Sequence, residues 1–170
     1  MKYLPLIAAL TCLPAGAFAA AHADMTPMTA QIAGTDGSAK GTVTVTPTLS
    51  ETYVITLDLT GLPAGELGVH LHEVGDCSAP DFASAGGHLA GDDDNTHGVM
   101  TAEGPHAGDL PNIMVAADGT AKVTFFNEEL EMDDLTDADG TAFVVHSGPD
   151  DYASQPSGDS GDRIACGVFE

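Results

Sequence analysis

Positive charge is what the chain most lacks: four basic side chains stand against 26 acidic ones, a formal charge of −22. A polyanion of this kind repels nucleic acid and anionic membranes at long range, so neither is expected as a partner. Tryptophan is absent, and three tyrosines and six phenylalanines make up the aromatic content. No apolar run approaches the roughly 20 residues that a transmembrane helix needs. With few aromatics and abundant Gly, Thr and Val, short strands and tight turns are expected ahead of helices. A hydrophobic share of 43% over 170 residues is nonetheless enough for one compact core.

Cysteine is scarce as well, at positions 12, 77 and 166. Lys2 opens a short positive region, residues 4–13 form a mostly apolar run, and small residues follow at Ala15, Gly16 and Ala17. This pattern predicts a secretory signal peptide over residues 1–19, with Ala21 and Ala23 as later cleavage positions and a single domain over 24–170. Cys12 would leave with the peptide, and Lys40, Lys122 and Arg163 would remain as the cations of an exported, periplasmic or secreted protein. Cys77 and Cys166 would then meet an oxidising compartment, where one disulfide is the expected state. Cleavage after Ala19 would expose Ala20-Ala21-His22, whose amine and third-position histidine chelate Cu(II); a frayed tail with an incidental histidine is the simpler reading.

Period-two alternation predicts strands over 28–33, 41–46 and 52–59, and extended character marks 69–73. Further strands are expected at 112–116 and 120–126, flanking the hairpin signal Asp118-Gly119, and at 141–146 and 164–169. Residues 75–111 and 147–162 are long Gly- and Asp-rich excursions of the length that usually serves function. The acidic stretch 128–139 could hold one helical turn, but a solvated connection is the favoured expectation. The fold class is therefore all-β: a Greek-key antiparallel sandwich or flattened barrel of about eight strands.

Six histidines, at 70, 72, 88, 97, 106 and 146, all fall in or beside the irregular regions. On a strand, His70 and His72 share one face while Leu71 points to the other, so two imidazoles converge and the leucine enters a core. His88, His97 and His106 recur at intervals of nine, and Asp109 follows three residues later. Three nitrogens and a carboxylate suit tetrahedral zinc, whose binding could order a loop too polar to fold alone. The aspartates at 92–94 do not form a calcium loop, because His97 occupies the position where glycine is required.

Gly68-Val-His-Leu-His-Glu73, Gly86-Gly87-His88, His106-Ala-Gly-Asp109-Leu-Pro and Arg163-Ile-Ala-Cys-Gly-Val168 together resemble the copper/zinc superoxide dismutases over essentially the whole mature chain. Only four residues stand between His72 and Cys77, which resembles the bacterial periplasmic branch. The resemblance implies a flattened eight-stranded barrel with long metal-binding and electrostatic loops. It implies copper on His70, His72, His88 and His146, and zinc on His88, His97, His106 and Asp109, with His88 shared. Asp150 matches a carboxylate that hydrogen-bonds one ligand on each side, His70 and His97. Arg163, the only arginine, matches the family's anion-binding guanidinium, pinned by a Cys77–Cys166 bridge. One copper and one zinc per chain would then convert superoxide to oxygen and hydrogen peroxide and protect the cell envelope. The family usually carries lysines before its arginine, whereas residues 147–162 carry four aspartates and no base. Composition identifies no dimer face, so both a monomer and a homodimer stay open, and a metal store on the same fold is the rival function.

Overall fold

The computed structural model describes residues 26–78, 80–91 and 95–170; the expected signal peptide, His22 and the 92–94 aspartates lie outside them. Among the described residues nine strands form: β1 (Met28–Gly34), β2 (Ala39–Pro47), β3 (Tyr53–Leu59), β4 (Gly65–Leu67), β5 (Val69–His72), β6 (Ile113–Val115), β7 (Ala121–Asn127), β8 (Ala142–His146) and β9 (Arg163–Val168). Seven make one antiparallel sheet in the order β5-β8-β9-β1-β2-β3-β7, and β4 pairs with β6. The sheet curls into a half-barrel. β8 crosses back to lie between β5 and β9, a connection of Greek-key type. Eight of the strands match those expected. The ninth, β4, is three residues long and too short to show any period.

Alternation explains the outer strands. Ala30 and Ile32, Val43 and Val45, and Ile55, Leu57 and Leu59 are buried, while the residues between them are more open to solvent. β5 and β8 depart from this rule, because all four and all five of their residues are buried. Leu71, Phe143 and Val145 enter the main core. On the opposite face, Ala142 and Val144 join Phe82, Ala85 and Cys166 in a second cluster, and His70 and His72 pair opposite Val144 and Ala142. The long loops therefore cover a sheet face that would otherwise be wet.

The first loop docks on the free edge of β5. Leu71 N–H donates to Gly108 O at 2.9 Å, and Leu89 N–H donates to Leu71 O at 2.9 Å. A side chain at Gly108 would collide with the Leu71 carbonyl, so only glycine permits this approach. These two bonds bring His88 and Asp109 against the strand that carries His70 and His72. Residues 128–139 correct the favoured expectation of a solvated connection and match the other, a single helical turn: they contain helix α1 (Met132–Thr136), capped by the reciprocal Glu131 and Asp134 pair and anchored by buried Leu130 and Leu135. Among the described residues no helix is long and apolar enough to cross a membrane.

Candidate metal centre

All six histidines singled out in the sequence converge. The His88 ring lies among the other five, with centroid distances of 3.8 Å to His70, 5.0 Å to His72, 5.1 Å to His97, 5.9 Å to His106 and 6.0 Å to His146. Four of the rings have a single nitrogen hydrogen-bonded to a partner that is not a histidine: His88, through Asp109, and three others. His70 Nε2 meets Asp150 Oδ2 at 2.8 Å, His72 Nδ1 meets Gly86 O at 3.1 Å, and His146 Nδ1 meets Gly161 O at 3.2 Å. Donation of these N–H groups leaves the opposite nitrogen of each ring with an open lone pair. Those nitrogens, His70 Nδ1, His72 Nε2 and His146 Nε2, are buried without a hydrogen-bond partner, and so is His88 Nε2.

The donor atoms of His70, His72, His88 and His146 all lie within 4.8 Å of one another. Four orphaned imidazole nitrogens this close together could hold a metal ion, and imidazole donors suit copper in both oxidation states. Burial pushes His72 down to about 2 and His146 to about 3, with the neighbouring cations and rings adding to the effect. Burial likewise lowers His88 to about 4. All three are neutral at pH 7 and ready to ligate.

A second set surrounds Asp109. His88 Nδ1 and His97 Nδ1 each lie 2.9 Å from Asp109 Oδ1, and His106 Nδ1 lies 3.5 Å from it, itself buried and unpartnered. His70, His88, His97 and Asp109 fall within 4.8 Å of one another, whereas His106 stands outside that grouping. His70 turns its Nε2 to Asp150 and its unpartnered Nδ1 lies with the first group, while the unpartnered His106 Nδ1 stands beside Asp109. Asp109 Oδ2 accepts from the backbone N–H groups of Gly98 at 2.8 Å and His106 at 3.0 Å, which orients the carboxylate. Burial opposes its ionisation, but the bonds from His88, His97 and Gly98 hold it well below the usual carboxylate range.

The two sets meet twice, at His88 and at Asp150. Asp150 Oδ2 contacts His70 and Oδ1 contacts His97 Nε2 at 3.0 Å. The strand and loop pairings thus convert residues far apart in sequence into one continuous donor array. A family model for copper/zinc superoxide dismutase matches residues 39–169. The chain is 40% identical over 148 residues to a Caulobacter vibrioides Cu-Zn superoxide dismutase, covering 84% of each, and 43% identical over 146 residues to one from Aquifex aeolicus, covering 82% of this chain and 84% of that one. The chain belongs to the copper/zinc superoxide dismutase family. Copper and zinc are accordingly its metals and superoxide its substrate. Solved structures agree: the Cu/Zn superoxide dismutase of Brucella abortus matches with a TM-score of 0.70 at 29% identity over 85% of this chain and 100% of that one. A superoxide dismutase-like protein of Bacillus subtilis matches with a TM-score of 0.76 at 37% identity over 82% and 96%.

In this dismutase a cavity of about 400 Å³ opens onto His72, His88, His146 and Arg163. Arg163 donates from Nη1 to Phe82 O and from Nη2 to Gly86 O, both at 2.6 Å. Gly86 O therefore serves both Arg163 and His72. The expected disulfide is present between Cys77 and Cys166. It ties the loop that carries these two carbonyls to the strand that carries Arg163. Sequence patterning did not reveal Asn112 and Tyr152, which bond to Asp150 and to each other through backbone and side chain. The only trace of Asn112 in the sequence is its place three residues after Asp109.

Zinc uptake should release protons in a defined pH window. Burial works against a charged His97, but Asp109 and Asp150 on either side of the ring raise it to about 9. Its Nδ1 must lose a proton before it can ligate. Titration calorimetry of metal-free protein in buffers of different ionisation enthalpy should show His97 contributing about one proton per zinc at pH 8, falling toward zero above pH 10. Release that does not change between these pH values would contradict the arrangement.

Proposed function

We propose that His70 Nδ1 and the Nε2 atoms of His72, His88 and His146 hold copper, and that the Nδ1 atoms of His88, His97 and His106 with Asp109 Oδ1 hold zinc. The observation that carries this reading is the set of five buried, unpartnered imidazole nitrogens distributed over the two groups. A buried polar atom without a partner costs free energy unless something binds it. When bound, copper supplies the one-electron couple that oxidises one superoxide to oxygen and reduces another to peroxide, and zinc supplies fixed, redox-silent charge.

The chain's own residues do the rest. Arg163 has two N–H groups committed to carbonyls, which holds its guanidinium plane rigid while its other donors face the cavity. A small anion is held there beside the nitrogens of His72 and His146. With both nitrogens engaged the His88 ring would be an imidazolate, so an Nε2 set free at the cavity wall would take up one proton, giving a neutral imidazole, and pass it to the reduced product. Asp150 accepts from Nε2 of both His70 and His97, which turns the Nδ1 of each ring away from it, toward the metal groups. The Cys77–Cys166 bridge and the predicted export signal support residence in the periplasm, where the enzyme would protect the cell envelope.

Pulse radiolysis of superoxide decay with copper- and zinc-loaded protein tests this function. Fast catalytic decay is expected; full metal occupancy without turnover would favour a metal store. The same experiment in a salt series tests the acidic surround. Asp81 and Asp162 line the depression beside Arg163, and Asp159 is exposed on the same loop as Asp162. No lysine offsets them in residues 147–162. Charges this close repel an incoming anion until salt screens them over a Debye length of about 10 Å at 0.1 M. The rate should stay level or rise with ionic strength, and a steep fall would contradict repulsion by these aspartates.

A further inference from the structure

Asp150 is itself held by a clamp outside the metal ligands. Asn112 lies immediately before β6, and its side-chain amide forms a reciprocal pair with the Asp150 backbone: Nδ2 donates to Asp150 O at 2.9 Å and Oδ1 accepts from Asp150 N–H at 2.8 Å. The Asn112 N–H donates to the Tyr152 hydroxyl at 2.9 Å. Tyr152 closes the circuit, because its own N–H donates to Asp150 Oδ1 at 2.6 Å and its carbonyl accepts from Met100 N–H at 3.1 Å.

Tyr152 adopts a φ of 64°, a left-handed conformation that a bulky residue rarely keeps unless its surroundings enforce it. Here three bonds enforce it, and they lead to Asp150, to Asn112 and to the zinc-side loop. Gly158 faces the same carboxylate, and a side chain there would collide with Asp150 Oδ1. The loop 147–162 has no helix or strand of its own; Gly148 is tied to Gly68 and Gln155 to His97, but the backbone of Asp150 itself is fixed by bonds to Asn112. Asn112 supplies these bonds from the segment that also carries Asp109.

We infer that Asn112 and Tyr152 are positioning residues that set the Asp150 carboxylate against His70 Nε2 and His97 Nε2, and so couple loop 147–162 to zinc retention. This rests on the metal assignment proposed above. Bonds of this kind to groups that orient ligands typically change metal affinity by about 10- to 100-fold when removed.

The test uses the full chain loaded with copper and zinc, with the variants Asn112→Ala and Tyr152→Phe. Zinc affinity is read by competition with a chromophoric chelator, and ligand geometry by the visible spectrum of Co(II) placed in the zinc site. Asn112→Ala should weaken zinc binding by about 10-fold or more and shift the Co(II) bands. Tyr152→Phe deletes one oxygen and should move both readouts in the same direction by a smaller factor. A merely structural role would lower the melting temperature of the metal-free protein and leave the Co(II) spectrum unchanged. If Asn112→Ala does not fold, Tyr152→Phe decides the question alone. Normal zinc binding in the unaltered chain, with affinity within about threefold and identical Co(II) bands in the variants, overturns the clamp. An unaltered chain that binds no zinc overturns the metal assignment and the clamp with it.

Discussion

Stripping both metals will lower the melting temperature by more than about 20 °C. The metal-free chain buries five imidazole nitrogens with no partner, and each such group costs about 1–3 kcal/mol in the folded state. Bound metal removes that cost, and the net stabilisation from a structural zinc site is about 10 kcal/mol. At about 2–4 °C per kcal/mol for a domain of this size, the shift exceeds about 20 °C. Calorimetry of loaded and chelated protein measures it directly, and a shift below about 5 °C would contradict the donor assignment. The loss should be local first. Hydrogen exchange should quicken in 83–91, 95–111 and 147–162 while β1, β2 and β3, whose inward residues are in the core, keep their protection.

The metal-free chain should also be acid-sensitive. Burial holds His72, His88 and His146 at about 2, 4 and 3 in the folded state. Their pKa values are depressed below the unfolded value of 6.5, so the unfolded chain takes up protons that the folded one refuses, and stability falls as pH drops below that value. His97 works the other way, since its raised pKa stabilises the fold below 6.5 and that contribution disappears as pH rises through about 9. Three depressed groups outweigh one raised group, so acid unfolding should begin below about pH 6.5. A pH series of melting temperatures on chelated protein checks this, and a flat profile between about pH 7 and pH 4 would contradict it.

Replacing the disulfide with Cys77→Ala/Cys166→Ala will cost about 4–5 kcal/mol, because the bridge closes a long loop in the unfolded chain. The sequence separation is 89 residues. The melting temperature should fall by about 10–20 °C, and activity should fall with it even after metals are restored. The second effect follows from the small cluster of Phe82, Ala85, Ala142, Val144 and Cys166 with Cys77 packed against it. Without the covalent tie this cluster and the hydrogen bonds of residues 72–74 to 85–87 must hold Phe82 O and Gly86 O against Arg163. A double variant with full activity and a shift of less than about 3 °C would show that packing suffices.

Much of this centre was legible in the residues themselves. The alternation in 28–33, 41–46 and 52–59 predicts strands that form in the same places, and His70-Leu71-His72 places Leu71 in the core and both imidazoles opposite it. Histidine spacing pointed to the His70 and His72 pair and to the group around Asp109, while His146 and the sharing of His88 came from the family resemblance. Legibility failed where the signal is short or non-local. β4 is too short for a period, and α1 owes its place to Leu130 and Leu135 finding the core from an acidic segment.

The sequence by itself determined the ligand types, the strand periods and the family, since these depend on side-chain chemistry and on motifs contiguous in the chain. Only the tertiary structure decided which nitrogen of each imidazole is free. That choice depends on what the other nitrogen meets, and the partner comes from 80 residues away for His70 and 53 for His97. The same holds for Arg163, whose acceptors are 81 and 77 residues distant, and for Asn112, whose amide reaches Asp150 across 38. Hydrogen-bond direction is a property of packed neighbours, and no local pattern encodes it.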